Sequence, residues 1–197
     1  MRSPISICVV VLAVVAALVS ITGTEGIAAG VPGGGSRVSQ GPPAPSPQAP
    51  VAPAIGAEDV VKALYRRVSF EAGKNVDWEQ VKAMFIPEAV IVLRTSRTAM
   101  TVFDRDGFVR DFVRFITEAK LEDRAFEETI LAIKTQETGE VARATVHYAA
   151  RIPSDGRPAQ QGIDVFLLMK KDGAWRIVSI VNEIVRPGVP VPEELRK

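Results

Sequence analysis

The stretch from Ala125 to Val185 limits what this chain can fold into more than any other part of it. Four runs rich in β-branched and alternating residues follow one another: Ala125–Glu137, Glu140–Ile152, Gln161–Lys171 and Ala174–Val185. Short clusters of turn formers separate them, namely Thr138-Gly139, the segment Pro153 to Pro158 around Asp155-Gly156, and Asp172-Gly173. Asp-Gly between two such runs is a strong hairpin signal, because a two-residue type I′ turn needs positive φ at both positions. The spacing therefore predicts a four-strand antiparallel meander.

Pairing the runs about their turns assigns side chains to faces. A two-residue turn at Thr138-Gly139 sets Ile133 opposite Ala144, Leu131 opposite Val146 and Thr129 opposite Tyr148, an apolar face that also carries Ala142. Glu128, Ile130, Lys134, Arg143, Thr145, His147 and Arg151 fall on the other, mixed face. About Asp172-Gly173, Leu168 pairs with Ile177, Phe166 with Ser179, Asp164 with Val181, Leu167 with Val178 and Val165 with Ile180. Both faces of the last two strands are then largely apolar and need cover on both sides. Helices supply one cover, and a second copy of the chain is the expected other one.

Upstream, Ala57–Ala72 predicts a first helix: Val61, Leu64, Tyr65, Val68 and Ala72 recur at helical spacing, Glu58 and Asp59 suit its N-terminus, and Gly73 suits its stop. Asp77 with Gln80 predicts a capping box for a shorter second helix whose inner face is Trp78, Val81, Met84 and Phe85, ended by Pro87. Short strands are expected at Ala89–Leu93 and Thr98–Phe103. Asp104 then caps a third helix to about Ala119, with Phe108, Val109, Phe112, Val113 and Ile116 as its stripe. Helices gathered on one side of a mostly antiparallel sheet make an α+β domain.

Met1–Ala29 reads as a signal segment: Arg2 precedes the apolar run Ile5–Ile21, and small residues follow at Ile27-Ala-Ala29. The expectation is a secreted or periplasmic protein, with a retained N-terminal membrane anchor as the alternative. Gly30 to Gly56 is a Pro/Gly-rich linker, with Gly33-Gly-Gly35 and prolines at 42, 43, 45, 47, 50 and 53. It holds too little apolar surface to offset its ordering entropy. The domain proper is expected over 57–186, with a tail over 187–197. The single cysteine, Cys8, lies in the apolar run, so the exported part carries no disulfide. Lysine and arginine number 24 against 23 aspartate and glutamate. A near-neutral chain with no basic block lacks the electrostatic footprint of a nucleic-acid binder.

No metal-ligand spacing, phosphate-cradling loop or nucleophile motif is present, so no cofactor and no metal are expected. A two-residue Asp155-Gly156 turn would set His147, the only histidine, across from Asp164 as a proton-transfer pair. Asp164 is notable alone, because a carboxyl within Gly162-Ile-Asp-Val-Phe-Leu-Leu needs partners or a shifted pKa. Tyr65 and Tyr148 both point into the space between helices and sheet, where a buried hydroxyl needs a partner. Phe112 and Trp175 complete the expected ligand-binding set of Tyr65, Phe112, Tyr148, Asp164 and Trp175. Asn182 and Glu183 end the last strand at a pocket mouth or in solvent.

The order of elements, with Asp77-Trp-Glu-Gln-Val-Lys-Ala-Met-Phe85, Pro87-Glu-Ala-Val, Gly139-Glu-Val-Ala-Arg-Ala-Thr-Val-His-Tyr148, Gly162-Ile-Asp164 and Gly173-Ala-Trp-Arg-Ile-Val178, resembles the nuclear-transport-factor-2-like superfamily and its SnoaL-like branch. The resemblance implies a cystatin-like cone, in which three N-terminal helices pack on a strongly curved sheet of about six strands. It also implies a range of roles, from steroid isomerases, cyclases and dehydratases to non-catalytic binding and assembly modules. Steroid-isomerase-like members carry a general-base aspartate at the end of the first strand, where this chain reads Val90-Ile-Val-Leu-Arg94. Tyr65 lies near their first-helix tyrosine. The expectation is an exported domain, dimeric through its sheet, holding a small, mostly apolar ligand without an assignable catalytic set. The alternatives are an isomerase-, cyclase- or dehydratase-like enzyme using Asp164 with His147 or a tyrosine, and an adaptor module.

Overall fold

The computed structural model describes residues 55–95 and 98–196. The expected signal segment and nearly all of the linker lie outside the described residues. Among the described residues, no helix is long and apolar enough to cross a membrane.

Helix α1 spans Ala57–Val68 and α2 spans Trp78–Lys82; strands β1 (Phe85–Arg94) and β2 (Met100–Asp104) lead into α3 (Arg105–Glu118). The meander follows as β3 (Glu127–Thr138), β4 (Val141–Arg151), β5 (Gln160–Lys171) and β6 (Ala174–Ile184). All six strands form one sheet in the order β2-β1-β6-β5-β4-β3. Only the β1–β6 pairing is parallel. The architecture is the α+β domain that the element order predicts, with the cystatin-like fold that the resemblance implies.

Local chemistry sets the helix ends. Asp77 accepts a hydrogen bond from the Gln80 amide and Asp104 one from the Gly107 amide, each capping the helix that follows. The α1 start is held from outside: Glu137 of β3 accepts from the Ala57 amide at 2.9 Å. Helix α1 is one turn shorter than Ala57–Ala72 because Phe70 pairs with Phe126 in an isolated β-bridge, which pulls the chain out of the helix after Val68. Val61, Leu64, Tyr65 and Val68 still form its buried face, and Phe108, Phe112 and Phe115 that of α3. Edge-to-face rings join Phe112, Phe115 and Phe126 at 5.6–6.0 Å between centroids. This aromatic knot locks α3 to the start of β3.

The register departs from the predicted pairing at three places. The first turn is Gly139-Glu140, since Thr138 pairs with Val141, and a bulge at Leu131 then shifts the ladder so that Ile130 opposes Tyr148 and Glu128 opposes Ala150. Past the bulge, Glu128 and Ile130 point inward rather than onto the mixed face. Around Asp172-Gly173 both residues have positive φ, as a type I′ turn requires. Leu168 pairs with Ile177 as predicted, but a bulge at Val178 then sets Phe166 opposite Ile180 and Asp164 opposite Asn182. Between β4 and β5 the connection is a 3-10 turn at Pro153–Asp155 followed by an extended loop, not a two-residue turn.

That last difference overturns the expected histidine–carboxylate pair. Asp164 sits opposite Val146, and His147 opposite Ile163, so the two point to opposite faces of the sheet. A one-residue change of register always has this effect. His147 lies on the outer face, with its Nε2 2.9 Å from Gln161 Oε1.

Candidate functional site

The inner face of the sheet, α1 and α3 enclose a cavity of about 50 Å³. By that measure one water fills roughly 10–15 Å³, so the cavity holds about three or four waters or a group of similar size. Its walls are apolar and aromatic, chiefly Leu64, Leu93, Phe108, Phe112, Phe166 and Ile180. Five polar side chains break that lining: Tyr65, Glu128, Tyr148, Asp164 and Asn182. Two larger hollows, of about 430 and 530 Å³, are open surface grooves away from these groups.

Asp164 is the hub. Its Oδ2 accepts from the Tyr65 hydroxyl at 2.5 Å, and its Oδ1 accepts from Asn182 Nδ2 at 2.7 Å. The same Asn182 amide donates to the Tyr148 hydroxyl at 2.9 Å. Helix α1 and strands β4, β5 and β6 each contribute one member, so the network ties the helix to three strands. Tyr148 can lie across β5 because its cross-strand partner is Gly162: a Cβ there would fall 2.4 Å from the tyrosine oxygen and 2.5 Å from Cζ. A glycine inside a strand commonly marks such a close approach.

Burial raises the pKa of Asp164 to about 6, against the opposing pull of its Tyr65 and Asn182 hydrogen bonds. Glu128 is raised further, to about 8, by burial first and then by the Asp164 charge. The Glu128 residue is partly exposed overall, whereas its carboxyl faces the cavity and has no hydrogen-bonding side chain to favour its charged form. Desolvation, with the nearby Asp164 charge, also pushes both tyrosine hydroxyls well above their ordinary value. At neutral pH the site therefore presents one carboxylate, one carboxylic acid and two neutral phenols.

Four of the expected ligand-binding residues, Tyr65, Phe112, Tyr148 and Asp164, come together around this cavity. Trp175 does not: it is buried at the start of β6 and does not line the cavity, and the Lys170 ammonium lies 5.1 Å from its ring centre. Glu128 is the member that pairing by alternation misses, and Asn182 falls by that pairing at a pocket mouth or in solvent. The two β-bulges turn both inward, and a bulge re-aims side chains without altering composition. Among the described residues, no group of three His, Cys, Asp or Glu side chains is placed to hold a metal ion.

Residues 58–182 match the family described as "Putative lumazine-binding". No curated protein matches the sequence. Among solved structures, an uncharacterised protein with a cystatin-like fold from Caulobacter vibrioides aligns with a TM-score of 0.50 at 20% identity, over 67% of this chain and 92% of that one. A cystatin-like protein of unknown function from Nostoc punctiforme aligns with a TM-score of 0.49 at 13% identity, over 68% and 90%. A nuclear-transport-factor-2-like protein of unknown function from Silicibacter pomeroyi aligns with a TM-score of 0.43 at 18% identity, over 65% and 92%. The first of these likenesses, to the Caulobacter vibrioides protein, speaks to fold.

Proposed function

This chain belongs to the family described as "Putative lumazine-binding", and from that premise we propose that it is an exported domain of the nuclear-transport-factor-2-like superfamily that holds a compact ligand in the cone cavity. One observation carries the reading: five polar side chains, from four strands and one helix, line a single otherwise apolar chamber. A few convergent polar groups in an apolar hollow are the usual makeup of a small-molecule site. The volume limits the occupant to a compact molecule, or the compact head of a longer one. A fused bicycle such as lumazine exceeds it. Titration with acetamide, followed by NMR, is expected to give saturable shifts at Tyr65 and Tyr148. The lining variant Val68→Phe fills the chamber and should abolish them; equal shifts in both proteins would remove the site.

A second reading, acid–base catalysis of the isomerase or dehydratase kind, draws support from the separation of the two carboxyls. Environments that push neighbouring pKa values apart mark acid and base roles. In that reading Asp164 is the base and Glu128 the acid, and His147, facing the other way, has no part.

We also propose that the outer sheet face pairs with a second copy. Val102, Val92, Val181 and Val165 form one in-register row across β2, β1, β6 and β5. Val102, Val165 and Val181 are 67%, 40% and 45% exposed, and Leu167 beside them is 50% exposed. A single protomer leaves this row in water. Light scattering at micromolar concentration is expected to give twice the protomer mass, and Leu167→Lys to halve it. A monomer at 100 μM on the order of weak-interface concentrations would end this part of the proposal.

A further inference from the structure

Building on the cavity as a ligand pocket, we propose that its occupant is a compact cation, a protonated amine whose N–H groups donate to Glu128 and whose charge lies among the aromatic rings. The argument proceeds by elimination among ligand classes. Among the described residues no lysine, arginine or histidine lines the chamber, while two carboxyls do. An anion would therefore meet like charge with nothing to balance it. A purely apolar occupant would seal off the Glu128 carboxyl from water without giving it a partner, which leaves a buried polar group unsatisfied.

A small ammonium meets both demands. Glu128 is the group in the network that accepts no side-chain hydrogen bond, and each Asp164 oxygen accepts only one, leaving lone pairs free. The rings of Tyr65, Phe108, Phe112, Tyr148 and Phe166 present the π surface that stabilises a desolvated cation. Centroids of Tyr65 and Tyr148 lie 5.8 Å apart, and those of Tyr65 and Phe166 6.2 Å apart, so the rings stand round a shared space and do not stack flat. The chamber admits a head group of a few heavy atoms, the size of methylammonium.

The pH dependence of binding follows from what faces Glu128. Asp164 on β5, Tyr65 on α1 and Tyr148 on β4 are the titratable neighbours, while β6 contributes the neutral Asn182 and α3 only Phe108 and Phe112. The tyrosines stay protonated, and Asp164 is ionised above pH 6. Glu128 must lose its proton to pair with the cation, so affinity rises with pH until Glu128, held near 8, is ionised.

The test is an NMR titration of the whole domain with methylammonium, acetamide and acetate, each at pH 6, 7 and 8. Methylammonium is expected to saturate the Tyr65 and Tyr148 shifts, with affinity rising roughly tenfold from pH 6 to pH 7 by proton linkage. Glu128→Gln should weaken it at least tenfold at pH 8 and flatten the rise above pH 7, leaving only the smaller change through the Asp164 range; acetate should not bind. If acetamide saturates the site while methylammonium does not, or if Glu128→Gln binds the cation unchanged, the charge inference falls and the pocket remains. If neither probe saturates it, both fall together.

Discussion

Glu128→Gln will stabilise this protein at alkaline pH and leave its stability at pH 4.5 nearly unchanged. Glu128 is held at about 8 in the fold, against 4.5 in the unfolded chain, chiefly because burial opposes its charge. Asp164 is held at about 6, against 3.8. For a carboxyl raised in the fold, the native state keeps a proton that the unfolded chain has already released. Its favourable contribution is complete below the unfolded pKa and is lost as pH climbs through the folded one. Stability should therefore fall from about pH 4 to about pH 8, first through the Asp164 range and then through that of Glu128. Above pH 8 the ionised, unpartnered Glu128 costs on the order of 3 kcal/mol, allowing for the partial exposure of the residue. The neutral amide removes that cost, so melting at pH 9 should rise by roughly 10 °C for a domain of this size. Melting curves of both proteins at pH 4.5, 7 and 9 check this; a parallel pair of pH profiles would show that the Glu128 carboxyl is solvated. A side chain that weakens the empty fold fits a site where ligand, rather than packing, determines the residue.

The elements were legible because periodicity and punctuation agree with the fold nearly everywhere. Asp77 and Asp104 cap the helices the pattern calls for, and Asp172-Gly173 makes the turn its dipeptide specifies. Which side chains share the chamber was legible only up to the first bulge. Leu131 and Val178 are the extra residues, and both are apolar residues at home on either face of this sheet, so nothing in the alternation marks where the ladder slips. Yet those slips bring Glu128 and Asn182 to Asp164. The β4–β5 connection misled for another reason: Asp155-Gly156 does sit at a turn, with Gly156 at φ 65, but inside a longer loop started by the 3-10 turn. A dipeptide reports local φ and cannot report how many residues surround it. On that count alone Asp164 is set across from His147, which itself keeps the mixed, outer face that alternation gives it. Two local signs of the site stand in one strand: Asp164, a carboxyl within a largely apolar run, and Gly162 two residues before it.

Gly162→Ala should cost this domain far more than an ordinary strand glycine would. The added methyl would stand 2.4–2.6 Å from the Tyr148 oxygen, Cζ and Cε1, too close for any side chain, and the obstructing atoms belong to a ring and not to a flexible tip. Tyr148 cannot swing clear freely: Tyr65 packs 5.8 Å from it, and Asn182 holds its hydroxyl. Relief requires the ring to move off β5, losing the Asn182 bond and loosening the geometry around Asp164. Overpacking of this kind costs about 1–3 kcal/mol, and a buried phenol left unpartnered adds about 1–3 kcal/mol more. Melting should drop by roughly 10 °C. Gly139→Ala serves as the comparison: its Cβ meets nothing within 4 Å, and only its φ of 61 opposes the change, a cost of about 1 kcal/mol. The double variant Gly162→Ala/Tyr148→Ala separates a clash from a general loss of strand quality. If the ring is the obstacle, removing it makes the glycine replacement nearly neutral, and the cycle shows coupling above about 1 kcal/mol. Additive losses would mean that Gly162 is kept for its backbone alone, and that Tyr148 does not depend on it for its place in the chamber.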